Sequence, residues 1–327
     1  MSWPQPGAET LTTAVQTPIA IDEPIAVVEP IEAGPPDEGA GPGPAGLAIT
    51  SALVVLPLVG LAAGICWLAL GNGVSMLDVG LGVGLYFLSG HGVTVGYHRL
   101  FTHRSFRAAP WLRVALAVAG SLALEGGVVS WVANHRLHHR LSDRPGDPHS
   151  PYRYGTSGWA LVRGMVWSHV AWLFRAPPAD VDRYARDLKG DPAIALVDRL
   201  FPVLAVVSLL LPFTIGWWAT GSLSAGGWAV LWAGAVRITL LHHVTWSVNS
   251  LCHVLGARPN RTRDRSANVS PLAVLSMGES WHNNHHAFPS SARHGLGPRQ
   301  VDTSARLIWL FERLGWATDV KWAAPLG

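Results

Sequence analysis

Histidines gather in short repeated patterns in this chain, and imidazole is the side chain that most often binds transition metals. Three boxes, HRLFTHR, NHRLHHR and SWHNNHHAF, hold eight of the 15 histidines. Packing does not call for such clusters, because histidine is a middling helix former and a poor core residue. The boxes therefore indicate metal sites, and their histidines are His98, His103, His135, His138, His139, His282, His285 and His286.

The spacing within each box decides how the imidazoles are presented. On a helix of about 3.6 residues per turn, positions i, i+3 and i+4 lie on one face. Each H-x-x-H-H box is therefore predicted to direct three imidazoles to a single point. The i, i+5 spacing of His98 and His103 does not fall on one face of a regular helix. That box needs a distorted helix end, or its two histidines bind different atoms.

The number and type of these ligands favour two redox metals. A single metal takes about six ligands at most, so eight histidines indicate two ions, and nitrogen ligands favour iron and oxygen chemistry. Cys66 and Cys252 are too few for a cysteine-ligated iron–sulfur centre. A carboxylate-bridged di-iron bundle is excluded, since the only Glu-x-x-His is Glu279 with His282. Glu279 either holds the second nitrogen of His282 or is a solvated surface acid.

The elements that position the boxes are predicted to be membrane helices. The chain is 49% hydrophobic and 14% charged, with 16 tryptophans, whereas soluble domains are about a quarter charged. Four apolar stretches are long enough to cross about 30 Å of hydrocarbon. We predict an all-α membrane protein with two helical hairpins, whose spans lie at about residues 47–70, 76–97, 200–219 and 226–247.

Basic residues set the predicted orientation. Of the 24 lysines and arginines, none precedes Arg99, and all but Arg237 lie in the segments 99–199 and 258–321. Cytoplasmic segments near span ends are enriched in such residues. The three boxes, both termini and a helical cap that holds the di-iron site are therefore predicted to be cytoplasmic.

Two further apolar stretches do not fit as simple spans. Residues 111–132 are long enough to cross, but crossing would put the first two boxes on opposite faces of the membrane. We favour a segment that dips into or lies along the cytoplasmic leaflet. Residues 159–174 are too short to span and are predicted to form an interfacial helix anchored by Trp159, Trp167 and Trp172.

The ends of the chain differ from its middle. Residues 1–45 are rich in proline, glycine, alanine and acidic side chains and contain no basic residue, so we predict a disordered tail without an export signal. The integral-membrane domain is predicted at residues 46–315, followed by a C-terminal tail at residues 316–327.

The boxes and their neighbours resemble the membrane fatty-acyl desaturases, in the stearoyl-CoA Δ9 branch. The similarity includes GVTVGYHRLFTHRSF, NHRLHHR and GESWHNNHHAFP, and it extends to DPHSP, WSHVAWLF and TWSVNSLCH in the right order. It implies two irons held by nine histidines, with an asparagine that contacts one metal through water. The implied ligands are His98, His103, His135, His138, His139, His253, His282, His285, His286 and, through water, Asn249.

The other histidines are given plainer roles. His91 is predicted to be a satisfied polar residue within the helix bundle, and His294 a surface residue. His149 and His169 belong to motifs of the family but not to its ligand set, which favours supporting roles. His242 and His243 either line the substrate channel or have no part in it.

The resemblance implies a desaturase that uses dioxygen and two external electrons to introduce a cis double bond into a long saturated acyl chain. The Δ9 branch implies the ninth carbon as the position of that bond. A membrane hydroxylase on the same scaffold is the alternative. The glycine-rich GLGVGLYFLSG lies inside a span and indicates packing, and no haem, flavin or nucleotide motif is present. The electron donor is therefore a separate ferredoxin- or reductase-type protein, and nothing indicates a nucleic-acid partner. A metal transporter is disfavoured, since the boxes flank span ends.

The substrate carrier is left open. Acyl-CoA members carry charged residues just before the second box, where this chain has Ala133 and Asn134. Contacts to a coenzyme A head group are therefore in doubt, although Arg175 is available for phosphates. The substrate is a long-chain acyl-CoA, an acyl-lipid or an acyl chain on a carrier protein.

Overall fold

Four long apolar helices form the frame of the protein. A computed structural model describes residues 41–323, and most of the predicted tail, residues 1–40, lies outside that part. Within it, the helices long and apolar enough to cross a membrane are Pro44–Ala69, Met76–Thr102, Phe201–Thr220 and Leu223–His253. They confirm the four predicted spans. The second and fourth run several residues further than the sequence predicts, so the second includes His98 and the fourth ends at His253.

The elements of the described part are almost entirely helical. In chain order they are α1 (Pro44–Ala69), α2 (Met76–His91), π1 (Gly92–Thr102), β1 (Arg107–Ala108), α3 (Pro110–Ser121), α4 (Val128–Leu141), α5 (Gly158–Val166), π2 (Trp167–Ala171), α6 (Trp172–Arg175), α7 (Val181–Tyr184), α8 (Arg186–Lys189), α9 (Pro192–Arg199), α10 (Phe201–Thr220), α11 (Leu223–Ala229), π3 (Val230–Val236), α12 (Arg237–Ser250), two 3₁₀ turns (Leu251–His253 and Ser270–Leu272), α13 (His282–Ala287), α14 (Thr303–Arg313) and β2 (Ala317–Thr318).

The spans pack through small residues and one buried arginine. A Cβ added to Gly60 of α1 would lie 2.3 Å from the Cβ of Ala235, so the backbones approach as closely as small residues allow. Arg237 is 2% exposed, and its guanidinium donates to Ser208 Oγ at 2.8 Å and to Leu122 O at 3.0 Å. Since a charge in a span is costly without such partners, Arg237 ties the loop after α3 to the spans.

The segment at residues 111–132 does not form one helix long enough to span a membrane. It breaks into α3 and α4, and the connecting loop turns through left-handed backbone at Leu124 (φ 61°) and Gly126 (φ 108°). A Cβ on Gly92 would lie 2.1 Å from the backbone nitrogen of Gly120, so α3 lies directly against π1. The first and second boxes are thereby held together.

The predicted interfacial helix is only partly confirmed. A helix does run from α5 through α6, and Trp159 is 73% exposed, as an anchor requires. Trp167 is buried at 5%, and its Nε1 donates to Pro148 O at 3.1 Å. The ring of Trp172 lies 5.1 Å from that of His149. The prediction of three anchors was therefore wrong for Trp167, which the DPHSP segment covers, whereas Trp172 is half-buried.

The end of the described chain is built into the fold. β2 pairs antiparallel with β1, and the backbone nitrogen of Lys321 donates to Ser105 O at 2.8 Å. The carbonyl of Lys321 accepts from the backbone nitrogen of Ala292, also at 2.8 Å. Residue 315 is thus not a structural break, and the predicted C-terminal tail is attached to the fold as far as residue 323.

Candidate metal centre

The histidines named from the sequence converge in two neighbouring clusters. In each cluster, one ligand atom per residue lies within 4.8 Å of all the others. The clusters touch, because the rings of His139 and His286 stack with centroids 4.6 Å apart. The first cluster consists of His98, His103, His135, His139 and His285, and the second of His138, His253, His282 and His286.

Each H-x-x-H-H box is divided between the clusters, so the prediction that a box serves a single point was wrong. His135 and His139 belong to the first cluster, whereas His138 belongs to the second. Positions i and i+4 differ by only about 40° around a helix, but i+3 and i+4 differ by about 100°. The third box divides the other way, with its middle histidine, His285, crossing to the first cluster.

The first box has the distorted helix that its spacing demands. Residues 92–102 form π1, and the backbone nitrogen of His103 donates to the carbonyl of His98 at 3.1 Å, an i, i+5 bond. This wider turn brings residues five apart onto one face, with ring centroids 4.7 Å apart. Both histidines consequently join the first cluster.

His253 and Asn249 reach the site from the end of the fourth span. The helix tightens into a 3₁₀ turn at Leu251–His253, where His253 is 1% exposed. Its Nε2 lies 3.0 Å from Nε2 of His282. Asn249, one turn earlier, lines two cavities that also touch cluster histidines. No spacing signal marks either residue, and only the family motif identified them.

Buried carboxylates hold the outer nitrogens of four cluster histidines. A carboxylate only accepts hydrogen bonds, so each of these Nδ1 atoms carries the hydrogen and each Nε2 turns its lone pair toward the cluster. Three of the four pairs belong to the second cluster. The pairs are His98 with Glu279 at 2.6 Å, His138 with Asp147 at 3.0 Å, His253 with Asp143 at 2.9 Å and His286 with Asp264 at 2.7 Å.

The donor set fits metal ions. Nε2 of His282 lies 3.0 Å from Nε2 of both His253 and His286, whose own hydrogens point to carboxylates. His282 can donate from Nε2 to only one of them, so lone pairs face each other unless a cation lies between. Nδ1 of His285 and Nε2 of His103 are buried without a partner in the described part of the chain. Nitrogen donors of this kind suit iron and similar transition metals.

Burial also keeps the inner imidazoles in the ligand form. It lowers the pKa well below the usual imidazole value, and the neighbouring histidines add to the effect, since a positive charge on one disfavours charge on the next. Neutral imidazole is the form that binds a metal. The histidines with a pKa lowered in this way include His103, His135, His139, His282 and His285.

Glu279 holds His98, not His282, and it is not a surface acid. It is 8% exposed, and Oε1 accepts from Arg99 Nη2 at 3.1 Å. Burial would raise the pKa of Glu279, but His98, His294 and Arg99 together hold that pKa well below its usual range. Glu279 thus joins a first-cluster histidine to the fully buried Arg99, whose other carboxylate partner is Asp302 at 3.0 Å.

His294 is buried, so its predicted surface position was wrong. Its backbone nitrogen donates to Asp302 Oδ2 at 2.8 Å, which folds the segment beneath Arg99. The ring is 0% exposed, with Nδ1 3.4 Å from Glu279 and its centroid 4.4 Å from that of His285. His294 therefore packs against the first cluster from outside.

The remaining histidines take up the plainer roles. His91 lies within hydrogen-bond distance of Phe87 O at 2.8 Å and Thr303 Oγ1 at 3.1 Å, as predicted for a satisfied bundle residue. His149 stacks on His138 with centroids 4.3 Å apart. His243 lies outside the linings of the two cavities described next, and its Nδ1 is 2.9 Å from Nε2 of His169.

Two cavities meet beside the clusters. The smaller, about 50 Å³, is mostly apolar and reaches Val93, Leu241 and Met277. The larger, about 230 Å³, extends past His242 and Trp172. Their shared walls are Trp131, His135, Thr245 and Asn249.

One half-buried acid, Glu125, faces the larger cavity. Glu125 Oε2 accepts from Trp131 Nε1 at 3.2 Å, and Oε1 accepts from Thr245 Oγ1 at 2.8 Å. Burial raises the pKa of Glu125 to about 7, so near neutral pH much of this carboxyl is uncharged. The two cavities thus share walls beside the clusters, since the smaller one also touches His98 and His282.

Comparison with known proteins adds to this geometry. A family model described as fatty acid desaturase matches residues 75–302. An sn-1 stearoyl-lipid 9-desaturase from Anabaena variabilis is 39% identical over 268 residues, covering 81% of this chain and 92% of that protein. A hex-5-enoyl-[acyl-carrier protein] acetylenase from Moorena producens is 40% identical, with coverages of 76% and 78%. Delta-9 acyl-lipid desaturase 1 from Arabidopsis thaliana is 40% identical, with coverages of 72% and 73%.

Proposed function

Since the chain belongs to the fatty acid desaturase family, we propose that it is a membrane enzyme that introduces a cis double bond at the ninth carbon of a long saturated acyl chain. The observation that carries this proposal is the position of the two histidine clusters, beside the point where two cavities meet. An acyl chain that occupies both cavities would pass beside the clusters. The matched relatives named as Δ9 desaturases support the same position.

The proposed metal centre contains two iron ions. One would be held by the five histidines of the first cluster, and the other by the four of the second with Asn249 through water. When bound, the two irons would supply the oxygen activation that no side chain can provide. The carboxylates behind His98, His138, His253 and His286 keep those rings oriented and basic.

The overall reaction needs one dioxygen and two electrons from outside. The segment –CH₂–CH₂– loses two hydrogens, and with two electrons and two protons these reduce O₂ to two waters, leaving –CH=CH–. The protein's own part is to position the chain and to exclude water from the metals. Trp131 lines both cavities and stacks on His135 with centroids 5.0 Å apart, so it is placed to position the chain beside the first cluster.

We propose an acyl-lipid as the substrate. Ala133 is 0% exposed, and the side-chain oxygen of Asn134 accepts from the backbone nitrogen of Ala179 at 3.3 Å. Neither residue offers a charge at the larger cavity, which Asn134 lines. A coenzyme A head group, which carries several phosphates, would find little to bind there. Two of the matched relatives are named as acting on stearoyl-lipid or acyl-lipid.

The enzyme is proposed to act at the cytoplasmic face, with both termini on that side and a separate one-electron donor. The excess of arginine and lysine at residues 99–199 and 258–321 supports this orientation. We assign the catalytic part to residues 46–315.

The product identifies the reaction directly. The full chain, expressed in cells that lack their own Δ9 desaturase, should yield lipids with a cis bond at the ninth carbon, measured by mass spectrometry with double-bond location. His285→Ala is the matched inactive control. A hydroxylated chain would instead establish the hydroxylase, and a bond at another carbon would refute the position.

Purified protein is expected to contain about two irons per chain, because two separate nitrogen clusters are present. Elemental analysis by mass spectrometry measures the ratio directly. A ratio near one, or a cluster loaded only with zinc in active protein, would contradict the di-iron proposal.

A further inference from the structure

The stretch from residue 254 to residue 301 has exposed positive charges and no exposed negative charge. Between residues 254 and 301 the acidic residues are Asp264 and Glu279, and both are buried. The exposed arginines of this stretch include Arg261, Arg263 and Arg299. No carboxylate in the described part of the chain forms an ion pair with any of these three. Their charges are thus available to a partner.

These arginines gather around α13, the helix that carries the third box. Asn260, beside Arg261, donates from Nδ2 to Asn284 Oδ1 at 2.9 Å. Asn284 in turn donates to Gln300 Oε1 at 2.9 Å, which places Arg299 nearby. Phe288, at the end of α13, is 42% exposed. We call Arg261, Arg263, Arg299 and Phe288 the arginine face.

The arginine face lies close to the second cluster, because the residue after Arg263 contacts a histidine of that cluster. Asp264, which follows Arg263, has Oδ2 2.7 Å from Nδ1 of His286. The backbone nitrogen of Arg265 donates at 2.8 Å to Asp143, the carboxylate that holds His253. Two cluster histidines are therefore connected to this loop through single carboxylates. An electron arriving at the loop would have only a short distance to cross.

The substrate passage lies elsewhere. Neither cavity is lined by a residue of the arginine face, and the larger cavity passes α1, α4 and α6 instead. A protein could therefore occupy the face without blocking an acyl chain. Exposed arginines together with an exposed apolar side chain are also typical of surfaces that bind an acidic partner briefly.

We propose that the arginine face is the docking surface for an acidic one-electron carrier protein with an iron–sulfur or haem centre. The inference rests on the proposed desaturase function. Each docked carrier gives one electron to the metal centre and leaves in its oxidised form, so two dockings supply the two electrons of one turnover. Charge complementarity steers the encounter, and proximity to His286 shortens the transfer.

The test uses the full, iron-loaded chain in nanodiscs with substrate lipid, and a plant-type [2Fe–2S] ferredoxin kept reduced by NADPH and its reductase. Arg261→Glu/Arg263→Glu is expected to raise the Kd for binding of oxidised ferredoxin, measured by calorimetry without turnover, by about tenfold or more at low salt. The KM for ferredoxin should rise by a similar factor, with kcat at saturation little changed. The KM of the Arg261→Gln/Arg263→Gln variant should lie between those of the parent protein and the Glu/Glu variant. The KM of the parent protein should itself rise with salt, as screening predicts.

The controls separate this proposal from its premise. Arg183→Glu/Arg186→Glu changes two exposed arginines on the α7–α8 segment, outside both cavity linings, and should leave the KM unchanged. Single turnover with dithionite should be equal in all variants. No product from the parent protein with dithionite would overturn the desaturase function itself. An unchanged KM in the Glu/Glu variant would overturn the docking surface, and loss of anionic-vesicle binding alone would make it a lipid-binding face.

Discussion

His253→Ala is expected to abolish desaturation and to lower bound iron as severely as His135→Ala or His285→Ala. His253 belongs to no box, yet its Nε2 faces His282 at 3.0 Å and its Nδ1 faces Asp143 at 2.9 Å. Alanine would remove one nitrogen donor from the second cluster. It would also leave the buried Asp143 carboxylate with the backbone nitrogen of Arg265 as a remaining donor.

The measurement is iron per chain together with product per turnover, under the same reductant. The iron content and activity of Asn249→Ala should lie between those of the parent protein and those of His253→Ala, because a contact made through water is weaker than a direct bond and partly replaceable. His243→Ala is the matched control, since His243 lies on the same helix, α12, and pairs with His169 outside both clusters. Full iron and activity in the His253 variant would mean that the boxes alone build the site.

The spans could be predicted because apolar length is a local property of the sequence. The ends of the second and fourth spans, which carry cluster histidines, could not be predicted in this way. Residues 98–102 and 250–253 contain several polar side chains, so hydropathy falls there, yet both segments continue as helix because protein surrounds them. The five-residue spacing of His98 and His103 indicated that a distorted helix end was needed if both bind one site, but it did not indicate that the distortion is the π-helix π1.

The composition of the site was easier to predict than its connections. Motifs identified every histidine that the clusters contain, but which cluster receives His138 or His285 depends on how α4 and α13 face each other. The partners of Glu279 were hidden for the same reason. Arg99 lies 180 residues from Glu279 and 195 from His294, and nothing in the local pattern links them.

Glu279→Ala is expected to have the second large effect, on stability as well as on iron. Its carboxylate serves Arg99 and His98 and lies 3.4 Å from His294. Arg99 is 0% exposed and pairs with the carboxylates of Glu279 and Asp302. Removing Glu279 therefore leaves the buried positive charge only partly balanced. Losses from breaking buried pairs in this way reach about 3–5 kcal/mol. His98 would also lose the acceptor that orients its ring, which should weaken iron binding at the first cluster.

Thermal unfolding in detergent and iron per chain measure the two effects separately. Glu279→Gln should retain more stability than the alanine variant, because an amide oxygen still accepts from Arg99, but it cannot serve His98 equally well at the same time. His294→Ala should lose activity only in part, since Asp302 and His98 keep their own contacts. Glu312→Ala removes a carboxylate that accepts from Trp322 Nε1 at 3.0 Å and belongs to neither cluster, so it should leave iron unchanged. Normal iron and an unchanged unfolding temperature in Glu279→Ala would show that Asp302 alone balances Arg99 and that His98 needs no carboxylate to bind metal.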